Sequence, residues 1–136
     1  MERNLDRKRP WARMRSVNNI ELYIEIDDCW VGQCGPEFYI GLLPSTMDKI
    51  GNVTFVDRIP IGKILSKGAI IGILETSKLG DWPLKSPVNA LVLAFNDKLN
   101  KNPSLCTASD MDENWVVKCK IQGISTISDL GEAKTR

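Results

Sequence analysis

The chain has 136 residues, 43% of them hydrophobic and 26% charged, with a net charge of +1 and no histidine. That length supports one modest core with tails, and no stretch approaches the roughly 20 apolar residues of a membrane helix, so a single soluble domain is expected. The lack of histidine excludes Ser-His-Asp and Cys-His catalysis and most catalytic zinc sites, which points away from catalysis by this chain alone.

Residues 1–16 read as a flexible basic arm in which Arg3, Arg7, Lys8, Arg9, Arg13 and Arg15 concentrate the positive charge. The arm lacks the apolar region of a secretory signal, and Glu2 and Asp6 argue against a mitochondrial transit peptide, so a cytoplasmic protein is expected. A basic arm can contact phosphates, but no aromatic-studded sheet motif follows this one, and no nucleic-acid partner is expected. The periodic apolar signal occupies 17–122, the carrier domain argued below, and 123–136 read as a polar C-terminal tail.

Within the domain, 20–26 alternate like a half-buried strand, and Gln33-Cys34-Gly35-Pro36 reads as the turn of an opening hairpin into 37–43. Pro44-Ser45-Thr46, followed by Met47-Asp48-Lys49-Ile50 and Gly51, carries the start and stop chemistry of a short helix with a hydroxyl cap. Strands resume at 53–56, and 59–68 place a proline and two glycines at turns. Asn96 to Asn100 predicts one helical turn, stopped before Pro103, and Trp115, Val117, Cys119 and Ile121 share one face of the strand that closes the sheet. Many short strands with regular turns predict a mostly β fold, a flattened barrel or sandwich of two sheets. Cys29, Cys34, Cys106 and Cys119 lack paired C-x-x-C knuckles, which argues against a metal site; Cys29 and Cys34 flank a predicted tight turn, as free thiols or a disulfide, and Cys119 reads as a small core residue.

The segment with most to say about function is Ile70-Ile71-Gly72-Ile73-Leu74-Glu75-Thr76-Ser77-Lys78-Leu79-Gly80, an apolar run that ends in a turn carrying one lysine. The Ser, Gly, Asp and Pro cluster after the run predicts an exposed loop, and the apolar run 88–95 predicts the second strand of the hairpin. Such a loop would hold Lys78 away from the body of the domain, as modification by a separate enzyme requires. The plain alternative is an ordinary surface lysine.

The order of these residues resembles the lipoyl-bearing H-protein of the glycine cleavage system and its close relatives, over about 20–122. Glu75-Thr76-Ser77-Lys78 is similar to the family's lipoylation motif, and Ser86-Pro87 to the pair that opens its next strand. Asn96-Asp97-Lys98-Leu99-Asn100-Lys101-Asn102-Pro103-Ser104-Leu105 keeps the family's Asn-x-x-Leu-x-x-x-Pro-x-Leu spacing. Ile40-Gly41, Ile50-Gly51-Asn52-Val53 and Trp115-Val116-Val117-Lys118 match further family positions. The resemblance implies a lipoyl-type barrel-sandwich hybrid with a short helix in its N-terminal half and a lysine-bearing hairpin. It implies lipoic acid amide-linked to Lys78, Glu75 as a recognition contact for lipoylation, and Thr76, Ser77, Gly80 and Trp82 around the arm. The protein would be a carrier and not an enzyme, shuttling a lipoate-bound intermediate between partners.

Departures from the family pattern bear on which partners. Asp28-Cys29-Trp30 stands where H-proteins read His-Glu-Trp, the loop Leu79-Gly80-Asp81-Trp82-Pro83-Leu84-Lys85 is remodelled, and 110–115 replace the usual Asp-Pro-Tyr-Gly-x-Gly-Trp. Pro83-Leu84-Lys85-Ser86-Pro87 and Leu22-Tyr23 are more similar to the lipoate-binding proteins of heterodisulfide-reductase-like sulfur oxidation, so the reading leans to a sulfur carrier that docks on that complex. The alternative is a glycine cleavage carrier of the aminomethyl group, serving glycine decarboxylase, aminomethyltransferase and dihydrolipoyl dehydrogenase. Either reading requires a lipoate ligase, or an octanoyltransferase and lipoyl synthase. Biotin is disfavoured because biotin carriers set their lysine between methionines, whereas Lys78 lies between Ser77 and Leu79. Two further readings are an unmodified β-barrel interaction or nucleic-acid module, with Trp30, Tyr39 and Phe55 as stacking candidates, and a degenerate family member that is never lipoylated.

Overall fold

A computed structural model of the chain describes residues 19–58 and 61–136; the basic arm and the Ile59-Pro60 pair lie outside them. The first three strands, β1 (Leu22–Ile26), β2 (Cys29–Cys34) and β3 (Glu37–Leu42), form an antiparallel meander. Its turns pass through Asp27 and Gly35, at φ 56° and 63°, a region that Asp tolerates and Gly enters freely. The expected opening hairpin is therefore one strand longer than predicted. β2 escaped the period-2 reading because Cys29, Trp30 and Val31 are consecutive and all buried. Cys29 and Cys34 are its two ends, roughly 16 Å apart at about 3.3 Å per residue, which no disulfide spans. Cys29, Cys106 and Cys119 are buried free thiols.

Helix α1 (Pro44–Ile50) has its proline in the first turn, where a missing N–H does no harm. The expected hydroxyl cap does not form: Leu43 is the N-cap residue, and Thr46 Oγ1 donates to the Asp28 carbonyl at 2.7 Å instead, tying the helix to the β1–β2 turn. Gly51 ends it at φ 78° and donates its N–H to Met47 O at 2.9 Å.

The later strands are β4 (Val53–Arg58), β5 (Ile64–Leu65), β6 (Ile70–Thr76), β7 (Gly80–Lys85), β8 (Ala90–Phe95), β9 (Val117–Ile121) and β10 (Lys134–Thr135). Two antiparallel sheets result, one of seven strands in the order β10-β1-β2-β3-β9-β8-β5 and one of three in the order β4-β6-β7. The main core includes Val31, Phe38, Ile40 and Leu42 from the large sheet and Val56, Ile71, Leu74 and Leu84 from the small one. This is the expected mostly β sandwich with a short helix and a lysine-bearing hairpin.

The hairpin itself is paired differently from the expectation. Residues 80–85, read as loop, are β7, the partner of β6, whereas 88–95 supply β8 in the other sheet. Gly80, Asp81 and Pro83 disguised a strand that is tolerable because β7 is an edge, where a proline without an N–H can face outward.

A second cluster, Ile20, Trp30, Tyr39, Leu43 and Trp115, covers the opposite face of the large sheet. Trp30 stands across from Gly41, where a Cβ would lie 2.5 Å from the indole, so the glycine is what admits the ring. Tyr39 meets Trp115 edge-to-face at 5.0 Å. Trp115 thus departs from the face predicted for it: it precedes β9, and Val116 and Val117 are both buried in the main core, which breaks the alternation. Asn96 ties this region together, with its amide donating to Glu113 O at 3.1 Å and Trp115 O at 2.9 Å.

Residues 123–136, expected as a polar tail, pack on the domain. Ile127 is 2% exposed, Ile124 and Leu130 rest on the main core, and β10 pairs with β1. Arg136 donates to Ile20 O at 2.9 Å and forms ion pairs with Asp110 and Asp112. Ile124, Ile127 and Leu130 recur only every third position in an otherwise polar stretch, which matches neither the alternation of a strand nor a helix-length apolar stripe, so a sequence reading passes over them. Among the described residues, no helix is long and apolar enough to cross a membrane.

Candidate functional site

Lys78 is exposed in a three-residue loop, 77–79, between β6 and β7. Thr76 is buried beneath it, donating from Oγ1 to Gly80 O at 2.8 Å and accepting the Leu79 N–H at 3.1 Å. Gly80 closes the loop at φ 68°, the left-handed residue that a three-residue hairpin loop needs. Thr76 and Gly80 therefore shape the turn.

The tip does not stand away from the body as expected. Residues 50–52, leaving α1, run beside it: Ser77 N–H donates to Asn52 O at 2.9 Å, Lys78 N–H to Ile50 O at 3.0 Å, and Asn52 N–H to Ser77 Oγ at 2.9 Å. The Lys78 ammonium donates to Asp48 O at 2.8 Å, one of the carbonyls at the C-terminal end of α1, where the helix dipole favours a cation. A Cβ on Gly51 would collide with Ser77 Oγ and sit 2.9 Å from Lys78 Cγ.

Glu75 points from the outer face of the small sheet, where Thr54 Oγ1 donates to it at 3.3 Å. Phe55 and Asp81 flank it in register, with Asp57, Ile73 and Pro83 in the adjoining row, and all are exposed. Among the described residues, Glu75, Asp57 and Asp81 form no ion pair, so the face beside Lys78 is acidic and apolar.

Trp82 points the other way: it is half-buried against the main core and lines a cleft of about 540 Å³ with Asp27, Asp28, Lys67, Lys85 and Ser86. Lys49 from α1 lies 5.6 Å from the indole centroid and 3.3 Å from Asp28. Two carboxylates and two lysines give the cleft mixed charge.

The thiols supply no nucleophile near neutral pH: burial pushes Cys29, Cys106 and Cys119 up to about 12, and Cys34 is also raised. Trp30 and Tyr39 are each 1% exposed and cannot stack on a base, which leaves Phe55 alone of the three stacking candidates. Glu75, Thr76, Ser77, Lys78 and Gly80, named together from the sequence, lie on the β6–β7 hairpin, and the sequence reading missed the contribution of 48–52. Gly51 was legible as a helix stop; its second contact spans 27 positions and leaves no local signal.

A family model described as Glycine cleavage H-protein matches residues 22–136. The glycine cleavage system H protein of Clostridioides difficile (strain 630) is 34% identical over 111 residues, 81% of this chain and 87% of that protein. That of Bordetella avium (strain 197N) is 32% identical over 67% of this chain and 71% of its own length. Among solved structures, a glycine cleavage system H protein from Mycobacterium marinum matches with a TM-score of 0.63 at 18% identity, covering 85% of this chain and 89% of that one, a likeness of fold.

Proposed function

Since the chain belongs to the glycine cleavage H-protein family, whose members carry lipoic acid covalently on a lysine, we propose that Lys78 is the attachment residue and that the protein carries the aminomethyl unit of glycine cleavage. The observation that carries the reading is Lys78 itself, an exposed primary amine on a short, internally bonded hairpin loop. The residues around it fit a long amide-linked arm: Gly51 offers no side chain to crowd the lysine stem, and the cleft beside Trp82 is roomy. When bound, lipoate supplies dithiol–disulfide chemistry at the end of that arm. The protein's own part is presentation, which suits a chain without histidine.

Glu75 and Asp81, which form no ion pair among the described residues, are the contacts we assign to recognition by the lipoylating enzyme, a lipoate ligase or an octanoyltransferase acting before a lipoyl synthase. Glycine decarboxylase, aminomethyltransferase and dihydrolipoyl dehydrogenase are the partners of this reading. The sulfur-carrier reading, favoured by the loop after Lys78, has less behind it: the relatives reported above bear the glycine cleavage name, and the mixed charge of the cleft selects neither cargo.

The test is intact-mass and peptide mass spectrometry after incubation with lipoate ligase, ATP and lipoate, followed by glycine decarboxylase-dependent exchange of labelled carbon dioxide into glycine. Wild type should gain one lipoyl increment on the Lys78 peptide and support exchange. Lys78→Arg should gain none while its stability moves by about 0.5 kcal/mol or less, as for other exposed positions. An increment on another lysine, or none, would sink the reading. A lipoylated protein inactive in exchange but active with a heterodisulfide-reductase-like complex would reinstate the sulfur carrier.

A further inference from the structure

The loop that carries Lys78 is held by a segment 27 positions earlier in the chain. Three hydrogen bonds join 50–52 to Ser77 and Lys78, and the ammonium reaches two residues further back to Asp48 O. The seat extends the β4–β6 pairing, which ends at Val53 opposite Thr76, past the end of the sheet. Its centre is Gly51, whose φ of 78° and ψ of −152° belong to a region that side-chain-bearing residues rarely enter. The helix stop alone does not account for this glycine, because the space its Cβ would take is filled by Ser77 Oγ and the stem of Lys78.

We propose that Gly51 is a positioning residue for the acylation of Lys78: its bare Cα is the floor across which the lysine stem lies, and Asn52 with Ser77 fixes the loop on that floor. This rests on Lys78 being the attachment residue. A side chain at 51 would displace the stem while leaving the outward face of Glu75 and Asp81 in place. The ligase would therefore still bind but would find its nucleophile misplaced, and displacements on the ångström scale lower such rates by about ten- to a hundredfold. The defect should appear in kcat more than in KM.

The experiment compares wild type, Gly51→Ala, Gly51→Ala with Ser77→Gly, Ser77→Ala and Lys78→Arg as full chains with lipoate ligase, ATP and lipoate. Initial rates are read by intact mass across a range of carrier concentrations, well below each variant's melting midpoint. Gly51→Ala should lose about tenfold or more in kcat at a similar KM, and Ser77→Gly, which removes the colliding hydroxyl, should restore part of it. Equal rates for wild type and Gly51→Ala would overturn the seat while leaving the carrier reading intact. A wild type left at its unmodified mass overturns both. Should Gly51→Ala fail to fold, Ser77→Ala decides: it deletes only the acceptor of the Asn52 N–H, and the proposal requires slower acylation, whereas an unchanged rate rejects it.

Discussion

Single residues here act mainly through what burial does to them. Cys29 is pushed up to about 12 by burial and then by Asp28 and Asp27, and burial does the same to Cys106 and Cys119. The Tyr39 phenol is also raised to about 12. Against an ordinary thiol value of 9.0, the folded chain keeps protons that the unfolded chain gives up. Their contribution to stability is therefore complete below about pH 9 and is lost as pH rises from there toward 12. The urea midpoint should fall across that window, and Cys119→Ala, less stable at neutral pH, should show a shallower fall. An unchanged slope in the variant would show that Cys119 takes no part. That Cys119 is a core residue was readable from its place in an alternating strand. Cys29 was not, because it opens a run of three consecutive buried residues, Cys29, Trp30 and Val31, that does not alternate.

At the level of elements, the β6–β7 hairpin sets two carboxylates, Glu75 and Asp81, directly across from each other. Like charges in that position destabilise a strand pair, and an opposite charge restores roughly 0.5 kcal/mol. Asp81→Lys should accordingly raise stability by about that much in urea titration, and should slow lipoylation if the acidic face serves recognition. A variant that is both more stable and equally well lipoylated would take Asp81 out of the recognition surface. The apolar run of β6 and the lysine at its end were legible in the sequence. Its partner was not, since glycine, aspartate and proline read as a turn wherever the fold does not supply an edge to hold them.

Across the whole molecule, the last fourteen residues close the large sheet along β1, and Arg136 joins Ile20 to the acidic pair Asp110 and Asp112. Exposed ion pairs of this kind contribute little, so most of the stabilisation should come from Ile127, which is buried while its N–H donates to Gln33 Oε1 at 2.8 Å. Ile127→Ala should cost about 2–4 kcal/mol, as for large-to-small changes in other cores, with an unchanged denaturant slope. A loss below about 0.5 kcal/mol would return 123–136 to the status of a surface tail.

The sequence by itself determined the β class, the short helix ending at Gly51, the turn that carries Lys78 and the absence of histidine chemistry. All of these follow from local periodicity, turn residues and composition. Only the tertiary structure decided which strand pairs with β6, which face Trp115 joins, that 123–136 are packed, and that 50–52 form a seat for the lysine loop. Each of these depends on residues distant in the chain meeting across sheets or connections, where shape and hydrogen-bond satisfaction choose between pairings that local pattern leaves equal.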